Sequence, residues 1–371
     1  MIANFFNKTK PVIIVNLLLL FTIFYVAATF LFKTIDFSIA SLGLNLAVFV
    51  GFFFMLLLIN FILRKNNLTE DNSYALYIII VLLGSFYETI FTINLFISNL
   101  LLLFAFRKIY SLKSGINTES KLFDAGFWIG ISTILYTWSI LFLVLVYIGL
   151  FIYNKITLRN LAIPLVGILF PLIGFFTYHF YFDSTELLYN RLIFNYNVDF
   201  SNYNQLKYLL PLSLLITILL WSIVFLIPKI VQVSTTFKST LQLIIGHFII
   251  AVIIVVLSPQ KNGSELFFLV LPSGIIIANF LQKTSSNTFK NLVLYLFFIV
   301  AVVATEFYRL TGQRVIFNLQ VIPGTCVMPL TGIPGALCPD CTAHDLDHQI
   351  IDGFVTVSYT HLTLPTMLAQ C

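Results

Sequence analysis

SYALYIIIVLLGSFYETIFTINLFISNLLLLFAF, residues 73–106, is predominantly apolar, with a polar interruption at Glu88, Thr89, Thr92 and Asn94. A membrane-spanning helix needs about 20 apolar residues to cross about 30 Å of hydrocarbon. At about 1.5 Å per residue this stretch as one helix would approach about 50 Å, so it is too long for one span and too short for two complete ones. FDAGFWIGISTILYTWSILFLVLVYIGLFIY, residues 123–153, poses the same problem, with its break at Thr137, Trp138 and Ser139. Both read as pairs of short, closely connected helices, which a membrane tolerates where protein or a cavity covers their ends.

Single spans are expected at 11–32, 37–63, 161–180, 208–228, 241–257, 265–281 and 291–308. With both long stretches split, the fold class is all-α: a polytopic transmembrane helix bundle of about eleven spans, with a cytoplasmic N-terminus. Composition agrees, since 59% of residues are hydrophobic and only 9% are charged, against about 25% charged in soluble proteins. Lys8 and Lys10 precede the first apolar run as they would in a signal peptide, but the run is of span length and no small-residue cleavage site follows. It is read as a retained span.

Basic residues decide the splitting, because Lys and Arg concentrate in short cytoplasmic loops. The eleven-span reading places Lys8, Lys10, Arg64, Lys65, Arg107, Lys108, Lys113, Lys121, Lys155, Arg159, Lys229, Lys238, Lys283 and Lys290 inside. Only Lys33, Arg191, Lys207 and Lys261 fall in the outside loops. Leaving both stretches whole would move the loop 107–122, with its four cations, to the outer side. The net charge of +5 therefore reflects orientation in a lipid bilayer and implies no nucleic-acid partner. The expected location is a bacterial inner membrane.

Chemistry-bearing residues are sparse. Residues 1–311 hold no cysteine, and their histidines, His179 and His247, read as structural bonds between helices. No nucleotide-binding, zincin or nucleophile-elbow pattern is present, and no cofactor is indicated. Asp124 reads as the cap of the helix beginning AGFWIG. The loop 181–207 falls outside, and from Tyr178 to Tyr208 it contributes an aromatic belt or an aromatic wall for a sugar or lipid head group. Acidic residues favour the outer side: Asp36, Glu88, Asp183, Glu186, Asp199, Glu265 and Glu306. Glu88 stands apart, because a carboxylate in a tight turn between two short helices needs a partner.

Two segments, 123–153 and SPQKNGSELFFLVLPSGIIIANFL at 258–281, resemble the C-type integral membrane glycosyltransferases, which use polyprenyl-phosphate sugar donors at the outer face. That resemblance implies Asp36 or Glu88 as general base or metal ligand, and Lys261 or Arg191 as the group holding a lipid phosphate. The first outer loop here, KTID, is much shorter than theirs. Across residues 1–311 the segments NNLTEDNSYALYIIIVL, RKIYSL and FDAGFWIG resemble an uncharacterised family of polytopic inner-membrane proteins of Bacteroidota. This implies location but no activity. Three functions stay open: a non-catalytic membrane component, a handler of polyprenyl-linked sugars, and a transporter.

Beyond Arg309 the composition changes. Residues 312–371 hold all the cysteines and few phenylalanines, and are expected to form an irregular, non-native or disordered tail. VSYTHLTLPT, 357–366, resembles translated sequencing adapter. In CPDCTAHDLDH, 338–348, Cys338, Cys341, His344 and His348 have the residue types of a zinc site. The spacing between the second Cys and the first His is too short for a two-Cys two-His finger, and no native metal site is expected.

Overall fold

The computed structural model describes residues 2–32, 39–183, 186, 191–230, 235–317, 325–329, 346–351 and 354–359. The chain divides into two units, Met1–Tyr308 and Arg309–Cys371. Among the described residues the first is all-helical. After a short α1 (Ile2–Phe6) come α2 (Pro11–Phe32) and α3 (Ile39–Lys65), then the first broken stretch as α4 (Tyr74–Ser85), α5 (Glu88–Phe91) and α6 (Ile93–Tyr110). The second broken stretch is α7 (Thr118–Leu135), a 3-10 turn at Thr137–Leu141, and α8 (Phe142–Ile152). Then follow α9 (Leu158–Tyr181), α10 (Leu206–Ile230), α11 (Thr235–Leu257), α12 (Phe267–Lys283) and α13 (Asn287–Phe317). Among the described residues eight helices are long and apolar enough to cross a membrane, and the shorter apolar helices Tyr74–Ser85 and Thr137–Ile152 belong to the two split stretches.

Both expected breaks occur. α4 ends where Phe86 leaves helical geometry, and Tyr136 is extended between α7 and the 3-10 turn. At about 1.5 Å per residue α4 is only about 18 Å long, so the break beside Glu88 is recessed well inside an about 30 Å layer. Ser98 on α6 and Ser132 on α7 share a hydrogen bond at 2.7 Å, and Ser139 reaches Ser98 at 3.0 Å. These hydroxyls satisfy one another where the broken segment turns inside the protein.

Contacts between loops settle which ends lie together. At one end Lys113 donates to the Asn66 carbonyl, Ser73 N to Phe6 O, Lys283 to Glu70, and Arg159 to Glu119. At the other, Tyr208 reaches Glu88, Thr137 reaches the Arg191 carbonyl and Tyr136 reaches Ser258. The loop 107–122 thus shares an end with residues 64–66, as the split requires and an unsplit chain forbids.

Two helices are enclosed by the others. Every residue of α4 is buried, as is every residue of α12 from Phe267 to Leu281, and α12 packs against α4, α6, α10 and α11. By contrast α9 and α10 expose Leu165, Phe170, Trp221 and Val224. Apolar side chains turned outward over whole helices need lipid around them. α7 and α9 meet through small residues: a Cβ on Gly167 would lie 2.5 Å from the Phe123 carbonyl oxygen, and one on Gly126 would run into the Pro164 carbonyl. Gly126 and Gly130 form a GxxxG spacing, which lets helix backbones approach closely.

Asp124 is not a cap. α7 begins earlier, at Thr118 with Asn117 as its N-cap residue, and Asp124 lies within the helix paired to Lys108 at 2.5 Å. His247 on α11 shares a 2.7 Å hydrogen bond with the Tyr110 hydroxyl at the end of α6, a bond between helices as expected. In the second unit, where irregular chain is expected, β1 (Thr325–Pro329), β2 (Leu346–Ile351) and β3 (Phe354–Tyr359) form an antiparallel sheet in the order β1-β3-β2. FVTVSY in β3 is rich in β-branched and aromatic residues.

Candidate functional site

The polar groups recessed at the second end come from three places: the α4–α6 break, the segment 198–208 leading into α10, and the loop 258–266 leading into α12. Glu88 opens α5. Its Oε1 accepts a hydrogen bond from Tyr208 Oη at 2.5 Å and lies 3.7 Å from Lys207 Nζ. Tyr208 Oη also stands 2.8 Å from the Asn262 carbonyl oxygen. One hydroxyl carries one proton, so it serves either acceptor while Glu88 is ionised.

Gly263 makes this approach possible. Its φ of +89° is left-handed, and a Cβ there would lie 2.7 Å from the Tyr208 ring and 3.4 Å from Glu88 Oε2. Only glycine meets both the conformational and the spatial demand without strain.

A second acid–tyrosine pair lies alongside. Tyr203 Oη donates to Glu265 Oε1 at 2.5 Å, and the Tyr203 and Tyr208 rings are 5.2 Å apart. Glu265 is fully buried, and its Oε2 has no hydrogen-bond partner among the described residues. Burial, reinforced by the Glu265 charge, pushes the Tyr203 hydroxyl well above its ordinary range, so it remains a neutral donor.

Lys261 is buried at the turn after α11. Its Nζ donates to the carbonyls of Val255 at 2.5 Å and Val256 at 2.8 Å, and lies 4.8 Å from the centre of the Phe200 ring. It therefore satisfies last-turn carbonyls and places a positive charge at the negative end of the α11 dipole. Burial holds its ammonium below the usual lysine range, and Glu265 opposes that shift.

Of the residues singled out from sequence, Glu88 and Lys261 fall in this cluster, joined through the loop Asn262–Gly263. Arg191 does not: it is exposed, and its backbone carbonyl accepts from Thr137 at 2.8 Å. Asp36 lies outside the described residues, as do Cys338, Cys341 and His344. Among the described residues no three His, Cys, Asp or Glu side chains are grouped to hold a metal. Tyr203, Tyr208 and Glu265 were not singled out. The tyrosines looked like any others of the loop, yet Tyr178, Tyr181 and Tyr196 are well exposed while Tyr203 and Tyr208 turn inward. Sequence carries one hint, a carboxylate placed directly ahead of the apolar run 266–281.

Lipid-facing helices closed around an enclosed pair define a multi-pass membrane protein. The chain belongs to a family of unknown function, DUF6427, which it matches over residues 4–312. No curated protein and no solved structure matches it.

Proposed function

We propose that the chain is a non-catalytic component of the bacterial inner membrane, its N-terminus cytoplasmic, in which the acid–tyrosine cluster latches a recessed broken helix to the loops above it. The observation that carries this reading is the use of Lys261. A lysine committed to two helix-end carbonyls and buried under Phe200 is built to hold a loop, whereas a phosphate-binding lysine would present its donors to an opening. The positive-inside distribution of the basic residues supports the orientation and the choice of membrane.

The alternative, a glycosyltransferase-like handler of polyprenyl-linked sugars at the outer face, draws on Glu88. Its carboxylate, a group suited to act as general base toward a hydroxyl, stands beside Lys207, and both side chains retain 17% exposure. Complementation of a deletion strain separates the two. Under the latch reading Glu88→Gln, which keeps an acceptor for Tyr208, restores the strain whenever the protein accumulates to wild-type level. Full accumulation without complementation would show that the carboxylate does chemistry.

A further inference from the structure

At the opposite end of the bundle, a pocket of about 290 Å³ opens where the end of α3, the end of α6, the turn Ser111–Ser114 and the start of α7 converge. Lys65, Arg107, Lys108, Lys113 and Lys121 line it, with the hydroxyls of Ser111 and Ser114. Arg107 and Lys108 also line an adjoining cleft of about 500 Å³, whose other walls are Phe104, Phe123, Phe127, Trp128 and Asp124. The Phe104 and Trp128 rings are 4.9 Å apart and those of Phe127 and Trp128 5.4 Å, so one side of the cleft is an aromatic surface. Across the two cavities five cations face a single carboxylate, Asp124, which is paired to Lys108.

Basic residues at this end are expected from orientation alone, and those at Lys8, Lys10 and Lys283 need no other reason. Two features here go further. The five cations come from four chain segments and surround one concavity, and hydrogen bonds position two of them, which unlike the buried Lys261 line an open pocket. Lys121 Nζ is held by Ser111 O at 2.8 Å and Ser114 Oγ at 2.7 Å, and Lys113 is held by the Asn66 carbonyl. The charged pocket also continues, through Arg107 and Lys108, into an apolar aromatic cleft. A free anion would use the first part only. A lipid would use both, with phosphate among the ammonium and guanidinium groups and acyl chain along the rings.

We infer that this pair of cavities binds an anionic lipid through its phosphate head group, from the leaflet at the Lys- and Arg-rich end. The site is separate from the acid–tyrosine cluster, so it stands or falls independently of the function proposed above. Basic pockets between transmembrane helices are suited to such head groups, and the preset donors lower the cost of ordering long side chains on binding.

The test uses the full chain with Trp138→Phe and Trp221→Phe, which leaves Trp128 as the reporter. The protein is placed in phosphatidylcholine nanodiscs with and without cardiolipin carrying brominated acyl chains. Expected is quenching of Trp128 at low cardiolipin content. Removing two charges by Lys65→Gln with Lys121→Gln should weaken the response about tenfold or more. Removing two charges outside the pocket, by Lys8→Gln with Lys10→Gln, should leave it unchanged. Equal weakening by both pairs would mean diffuse surface electrostatics and overturn the site. If the charge variants fail to accumulate, lipid retention by the parent protein in native mass spectrometry still decides. Cardiolipin retained through delipidation supports the site, and its complete loss overturns it. Inorganic pyrophosphate forms the other arm. Protection against thermal unfolding by pyrophosphate equal to that by cardiolipin, and unaffected by Trp128→Ala, would assign the pocket to a soluble phosphate and overturn the lipid assignment.

Discussion

Tyr208→Phe removes one oxygen from the centre of the recessed cluster and leaves the ring in place. In the parent the hydroxyl stands 2.5 Å from Glu88 Oε1 and 2.8 Å from the Asn262 carbonyl, at a residue only 4% exposed. Lys207 Nζ stands 3.7 Å from Glu88 Oε1, beyond ordinary hydrogen-bond distance in the parent. A hydrogen bond to a charged group contributes about 1.5–3 kcal/mol, and the loss leaves a partly buried carboxylate short of a donor, so the variant should be destabilised by about 2 kcal/mol. Glu88→Gln keeps an acceptor for Tyr208 and forfeits mainly its attraction to Lys207. Both side chains retain 17% exposure, and solvent screening limits the cost to about 0.2–1 kcal/mol. Together the two changes should cost less than their sum by about 1 kcal/mol, because in the Tyr208→Phe background the Gln also removes the carboxylate charge that was left short of a donor. Unfolding of the purified protein in lipid–detergent mixtures, followed for the parent, both single variants and the double variant, measures this coupling. Additivity within about 0.5 kcal/mol would mean that hydroxyl and carboxylate are not partners, and the latch would lose its central bond.

Gly167→Leu should reduce accumulation sharply, because the new side chain meets the Phe123 backbone, while Gly174→Ala, with open space around it, should be tolerated; immunoblots of membranes compare them. Lys261→Met should cost about 1–3 kcal/mol by stranding the carbonyls of Val255 and Val256, and Lys261→Arg should recover part of the loss in the same unfolding assay. With the cysteines of the tail replaced, a single cysteine at Ser114 and one at Asn202 should react with an impermeant thiol reagent from opposite faces of the membrane. Labelling of both from one face would refute the topology. Acidification should loosen the turn 201–204. Asp199 accepts from Ser201 N at 2.9 Å, which holds its carboxyl below its ordinary range, so its contribution is present above the ordinary aspartate pKa and disappears as pH falls through the lowered one. Hydrogen exchange at Ser201 should rise in that window and stay flat in Asp199→Asn.

The membrane class, the two broken stretches and the grouping of the loops were legible in the linear chain. They rest on quantities that add along the sequence: apolar length against bilayer thickness, and the count of Lys and Arg in each loop. Glu88 stood out for the same reason, as a carboxylate inside an apolar stretch. Tertiary structure alone decided which helices are enclosed. α12 is no more apolar than the lipid-facing α9, because hydropathy does not distinguish a protein neighbour from a lipid one. It also decided the partners. Tyr208 lies 120 residues from Glu88 and Tyr203 lies 62 from Glu265, and a hydrogen bond over such a distance leaves no periodic trace. Lys261 shows the difference most clearly. The resemblance to membrane glycosyltransferases implied a role in holding phosphate, and only the course of the chain around it shows an ammonium turned back onto the end of its own helix.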